Sequence, residues 1–314
     1  MIRERSSTRR LILGVAAACL IGLVCLGIVA AALALRGSNT LSLAGANPQA
    51  LFQGITYEQV KLQTPRPVVA HILRIDLRAE GIGFLVTPGD AGQELPLSAK
   101  TTSQFLEESK VQMAVNGDGF TPWHSNGPLD YYPHPGDRVK PNGMAASRGG
   151  VYSAGDGEEP VLYLSRTNQA RFNVPFGKIY NAISGDRMLV ERGGLAQGLD
   201  SQPQPRTAIA LDRRGRTLIL IVVDGRQAGY SEGMTLEELG RLIVQEGGYY
   251  GMNLDGGGSS TMIAQGSAGT GVVLNSPIDQ NVRGKERAVG NHLGIFASPL
   301  SEAGKRGATR RVSE

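Results

Sequence analysis

Downstream of residue 50 the apolar positions fall into short runs closed by turn-forming residues. ITYEQVKL (55–62), PVVAHILRID (67–76), IGFLVTP (82–88), VQMAVNG (111–117), PVLYLS (160–165), RTAIALD (206–212), TLILIVVDG (217–225) and GMNLDG (251–256) each read as a strand. Most end in Gly, Pro or Asp, and the 43 glycines of the 314-residue chain are about twice the usual share of roughly 7%. Two segments have helical spacing instead. Ser98–Lys110 carries a weakly periodic apolar face. In TLEELGRLIVQEGG (235–248), Thr235 and Glu238 form a capping box, Leu236, Leu239 and Ile243 share a face, and Gly247-Gly248 ends the helix. Strand, helix and strand of this length predict a crossover that leaves strands 217–223 and 251–255 parallel, with Asp224 and Asp255 at corresponding C-terminal ends, where ligands collect. The pattern predicts an α+β fold: a sheet-rich mixed α/β domain with few helices.

The first 36 residues follow another pattern. Leu11–Leu35 is an uncharged apolar run of 25 residues, and about 20 suffice to cross a bilayer. Arg3, Arg5, Arg9 and Arg10 precede it, which keeps the N-terminus cytoplasmic and sends the rest of the chain across. A cleaved signal peptide is the alternative, with an A-x-A site at Ala32-Leu33-Ala34, but such apolar cores usually run about 7 to 15 residues. The expected organisation is a cytoplasmic basic segment (1–10), a transmembrane signal anchor (11–35), a linker (36–50), one folded domain (51–298) and a disordered basic tail (299–314), with the C-terminal domain extracytoplasmic.

Charge and cysteine content narrow the function. Residues 1–36 hold five Arg and one Glu, which accounts for the whole formal charge of +4 (32 basic against 28 acidic side chains). The remainder is neutral, so the basic balance serves membrane orientation and gives no support to nucleic-acid binding. Both cysteines, Cys19 and Cys25, lie in the apolar run. The exported part therefore has no disulfide, thiolate metal site or cysteine nucleophile. Its four histidines show no metal-ligand spacing; no cofactor is expected, and a structural calcium held by Asp side chains and loop carbonyls stays open.

Candidate chemistry gathers where polar residues interrupt strand ends: Asn116, Arg206, Asp224, Asn253, Asp255, Arg287 and Asn291. The stretch NLDGGGSSTM (253–262) sets Asp255 beside Gly256, Gly257 and Gly258 and then the hydroxyls of Ser259 and Ser260. It lacks the Lys of a nucleotide P-loop and the closing Gly of a nucleophile elbow, and its bland reading is a hairpin whose glycines supply positive φ. Asp224 and Asp255 equally suit turns, and Asn116 and Asn291 suit buried amides pairing with backbone. TPWHSNGPLDYYPHPGDRVKPNG (121–143) has the chain's single Trp among tyrosines and prolines, fitting either a carbohydrate-facing flap or a packed surface excursion.

Taken in order, AVNGDGF (114–120), PRTAIALD (205–212), VVDGRQAGYSEGMTLEELGRLI (222–243), MNLDGGGSSTMI (252–263) and ERAVGNHLGIF (286–296) resemble the motifs of the phosphodiester glycosidases. Asp118 departs from the first motif, and the cysteine-rich regions of the family's animal member are missing, so the animal substrate does not carry over. The resemblance implies hydrolysis of the bond between an anomeric carbon and a phosphodiester oxygen, with a carbohydrate phosphodiester as substrate. Asp224 and Asp255 then suit an oxocarbenium-like transition state. Arg206 and Arg287 suit the phosphate, while the loop amides and the hydroxyls of Ser259 and Ser260 suit phosphate oxygens or sugar hydroxyls. A non-catalytic phosphoglycan-binding module and an esterase using Ser259 are the rival readings.

Overall fold

The computed structural model describes residues 44–45, 48–127, 130–199, 202–266 and 269–300. The predicted signal anchor and basic segment, most of the linker and nearly all of the tail lie outside them. Among the described residues no helix is long and apolar enough to cross a membrane.

Strands dominate, and the two helices are the ones the sequence indicates. Helix α1 (Thr102–Ser109) and helix α2 (Leu236–Gln245) each start at a Thr whose hydroxyl accepts from the third helical amide, in the capping boxes Thr101/Gln104 and Thr235/Glu238. Each such cap is worth about 1 kcal/mol. Beyond α2, Gly247 turns the chain at φ +88°.

A nine-stranded sheet forms the largest layer. At its centre Arg206–Asp212 pairs with both Thr217–Val223 and Gly248–Asn253, antiparallel to each. The two flanking strands are thus parallel to one another, as the crossover pattern requires, but are separated by one strand rather than adjacent. A five-stranded sheet centred on Met113–Asn116 and His292–Phe296 lies against it, and a second five-stranded sheet contains Val161–Leu164 and Asn181–Ser184.

Period-two alternation divides the faces. Leu73, Ile209, Leu220 and Met252 of the large sheet bury against Met113, Val115, Met262, Leu293 and Leu162 in one shared core. On the reverse faces Gly251 leaves room for Ile243 of α2, and Ala114 and Ile263 pack with Phe105 and Leu106 of α1. The resulting order is helix, sheet, sheet, helix. The Asp255–Thr261 loop is the crossing point, since Gly248–Asn253 belongs to the large sheet and Met262–Gln265 to the smaller one.

Candidate active site

Asp255 sits where the chain leaves one sheet for the other, and both sheets fix its backbone. Its N–H donates to Gly117 O (2.9 Å), and its carbonyl accepts from Asn116 Nδ2 (2.7 Å). Asn116 Oδ1 in turn accepts from Thr207 Oγ1 (2.8 Å) and from the Thr261 amide (3.2 Å). Asn116 is fully buried and ties the two sheets together beneath the site.

The glycines that follow are required by what packs over them. Gly257 has φ +62° and makes a single 3-10 turn with Gly258 and Ser259, a departure from the simple hairpin considered above. A Cβ on Gly257 would approach Arg226 Nη2 to 3.1 Å, one on Gly258 would meet Arg287 Nη2 at 2.5 Å, and one on Gly256 would meet Pro205 O at 2.8 Å. The stripped backbone therefore lets arginine side chains close over the loop.

These groups line a cavity of about 680 Å³ together with Asp118, Trp123, Glu158, Glu159, Asp186, Asn253 and Arg206. Three guanidinium groups meet there. Arg206 is buried and held by the carbonyls of Met234 (3.0 Å) and Gln202 (2.8 Å). Arg226, at φ +57°, bonds Gln204 Oε1 (2.8 Å). Arg287 is paired with Asp279 (2.8 Å) and lies 5.5 Å from the Trp123 ring centre. Burial, and then the charges of Arg287 and Arg206, pull Arg226 below the ordinary arginine range.

Carboxyls line the same cavity. Burial pushes Asp255 up to about 6 despite the opposing effects of the Ser259 hydroxyl and Arg287, and the nearby Asp118 adds to the rise. Asp118 is 2% exposed. It accepts from Ser184 Oγ (2.6 Å) and from the amides of Gly143 (2.9 Å) and Gly119 (2.8 Å), yet burial still holds it above the ordinary carboxyl range.

The other expected residues divide. Asn253 lines the cavity, and its Oδ1 is buried without a hydrogen-bond partner. Ser259 lies beneath it, its Oγ 3.4 Å from Arg287 Nη1, and the Ser260 side chain is buried away from it. Asn291 Oδ1 holds the Asp118 amide at 2.8 Å, which makes it a positioning group. Asp224 does not reach the cavity. Its carboxylate is wholly covered and accepts from His71 Nε2 (3.0 Å), Tyr230 Oη (2.9 Å), Asn275 Nδ2 (3.0 Å) and the Ser276 amide (2.8 Å). Burial alone would raise it, but His71, Ser276 and Asn275 outweigh burial and hold it below the usual range.

Sequence reasoning passed over Arg226, Asp186, Glu158 and Glu159, and took Asp118 only as a departure from a motif. Arg226 had one signal, its place directly after Asp224-Gly225 in a strand-end turn. Trp123 connects the long 121–143 excursion to the site: it lines the cavity, is 48% exposed and stacks on Tyr131 at 5.6 Å between ring centres. Among the described residues no group of three or more His, Cys, Asp or Glu side chains is placed to hold a metal ion.

Solved structures share this fold. A hypothetical protein from Synechocystis superposes with a TM-score of 0.57 at 15% identity, over 78% of this chain and 62% of its own length. The zebrafish N-acetylglucosamine-1-phosphodiester alpha-N-acetylglucosaminidase catalytic domain, auto-inhibited by its pro-peptide, gives 0.55 at 21% identity, covering 82% of this chain and 84% of that one. A protein from Burkholderia pseudomallei gives 0.62 at 12% identity, over 82% and 98%. No curated protein sequence matches. The phosphodiester glycosidase family model matches residues 109–296, which is more than half of the chain and spans Asp118, Arg206, Arg226, Asp255 and Arg287. The chain belongs to the phosphodiester glycosidase family.

Proposed function

We propose that this protein hydrolyses a sugar 1-phosphodiester in extracytoplasmic glycan or exopolysaccharide material, tethered to the membrane by residues 11–35. The observation that carries the reading is the convergence of three guanidinium groups and the Asp255 and Asp118 carboxyls on one cavity, with Asp255 lifted to about 6.

The chemistry follows from that convergence. A phosphodiester oxygen departs as an anion without needing a proton, so the demand is for fixed positive charge, and Arg206, Arg226 and Arg287 supply it. Positive charge develops at the anomeric carbon, and Asp255 and Asp118 are the carboxyls available to stabilise it. Water adds its oxygen to that carbon and yields a proton to the Asp255 carboxylate, while the electron pair of the breaking C–O bond leaves with the phosphate. The products are a free sugar and a phosphomonoester. The half-exposed Trp123 at the cavity edge is suited to a sugar ring.

A panel of UDP-sugars and sugar 1-phosphodiesters, scored for released reducing sugar, tests this. Release from at least one member by the wild type, lost in Asp255→Asn, is expected. Binding of a phosphoglycan with no release, unchanged by Asp255→Asn, would instead identify a non-catalytic binding module.

A further inference from the structure

The candidate active-site cavity does not end at its own walls. Glu158, Glu159 and Asp186 also line a neighbouring hollow of about 500 Å³. Asn173, Met188 and Glu191 of that hollow in turn line a third, of about 1210 Å³, the largest of the three. The strand Arg187–Glu191 runs along all of them: Asp186, just before it, reaches the active-site cavity, and Arg192, just after it, reaches the far hollow. At about 3.3 Å per residue this path is about 17 Å long, the length of an oligosaccharide rather than of one sugar.

The balance of charge changes along the path. Arg206, Arg226 and Arg287 occupy the near end; Glu158, Glu159, Asp186 and Glu191 outnumber Arg187 in the middle; and Arg171, Arg192, Arg213 and Arg214 outnumber Glu191 and Asp212 at the far end. The far four are exposed and form no ion pair among the described residues. Arg171 is instead laid on the Phe176 ring (4.4 Å) and Arg213 on Tyr249 (5.3 Å), contacts that hold a guanidinium in place without neutralising it. Phe172 and Tyr250 line the same hollow.

A uniform polyanion would bring its charge against the central carboxylates. A neutral glycan would leave four desolvated guanidinium groups without partners. A chain of sugars joined by spaced phosphates avoids both costs: phosphates fall at the two arginine ends, and sugar hydroxyls donate to the carboxylates between, which accept only. The geometry points to an extended phosphoglycan polymer as the substrate, held by the far hollow as a distal subsite while cleavage occurs at Asp255. The identity of the occupant as a substrate rests on the hydrolase reading above; the binding groove stands apart from it.

The test uses the full-length chain, a poly(hexose 1-phosphate) and a single-unit hexose 1-phosphodiester. The variants replace Arg171, Arg192, Arg213 and Arg214 together by Ser, or together by Lys. In the wild type the polymer should be retarded in affinity electrophoresis and cleaved with the higher kcat/KM. The Ser variant should raise KM for the polymer by roughly tenfold and leave the single unit unchanged, and the Lys variant should restore most of the loss. Equal effects on polymer and single unit, or none on either, would overturn the inference, as would tighter retention of dextran sulfate or nucleic acid than of the phosphoglycan. Retention of the polymer by the wild type and its loss in the Ser variant, with no cleavage of either substrate, would keep the groove and remove the hydrolase.

Discussion

Asp224 and Asp255 begin alike. Each follows the last residues of a strand in the same sheet, the two strands run in the same direction, and each Asp precedes a Gly. Their surroundings make them opposites. Four donors converge on Asp224 and hold it ionised, in a chain in which Tyr57 Oη and His71 Nδ1 share a hydrogen bond (2.8 Å) and His71 Nε2 donates to the carboxylate. Asp255 is half-buried with far less compensation and opens on a cavity lined by three guanidinium groups. A fully satisfied carboxylate braces a structure, whereas a poorly satisfied one is kept because its discomfort is useful to chemistry.

The sharpest way to break this contrast is to neutralise each in turn. Asp255→Asn should cut kcat by roughly 10²- to 10⁴-fold, and wild-type kcat should rise with pH through about 6 as this carboxyl ionises. The stability signs differ between the two residues. Asp255 is raised, so its contribution is fully present below the unfolded carboxyl pKa and is lost as pH climbs through about 6; Asp255→Asn should therefore melt higher than wild type at pH 8, by about 2 to 3 kcal/mol, and not at pH 4.

Next in size, Arg226→Ala should lower kcat/KM by roughly 10²-fold, as for loss of one preorganised charge partner. A steady-state comparison with Arg206→Ala and Arg287→Ala would show whether the three act as one cluster, since their losses should then fail to add.

Asp224 is lowered, so its contribution is present above the unfolded pKa and lost only as pH falls. Asp224→Asn should cost about 3 kcal/mol at pH 7 in denaturant melts, with kcat per folded molecule close to wild type. A stable Asp224→Asn protein without turnover would erase the distinction drawn here. The smallest effect is expected from Gly258→Ala, whose Cβ displaces Arg287: about a tenfold rise in KM with little change in melting temperature.

Much of the fold could be read from the chain because local rules and the final structure agree. ITYEQVKL and RTAIALD form strands with the expected bounds, and the Thr235/Glu238 box opens its helix where expected. The site was less legible. Asp255, Arg206, Arg287 and the glycines converge as expected, and no local feature could separate Asp224 from them, because its donors come from residues 71, 230, 275 and 276. Asp118 looked like a deviation because Ser184 and Gly143, which with the adjacent Gly119 amide hold its carboxyl, lie far along the chain. Arg226 escaped notice for a similar reason: its neighbours Arg206, Arg287 and Gly257 meet it only in space.

The loop from Asp255 to Thr261 crosses between two sheets whose strand pairings are all antiparallel, and the charged groups around it come from separate stretches of the chain. Arg206, Arg226 and Asp255 lie at strand ends of the large sheet, Asp118 and Arg287 flank strands of the smaller one, and contacts between distant segments form slowly. The cavity is therefore complete only when the two sheets have docked, and a chain with its strands formed but its sheets apart has no assembled site.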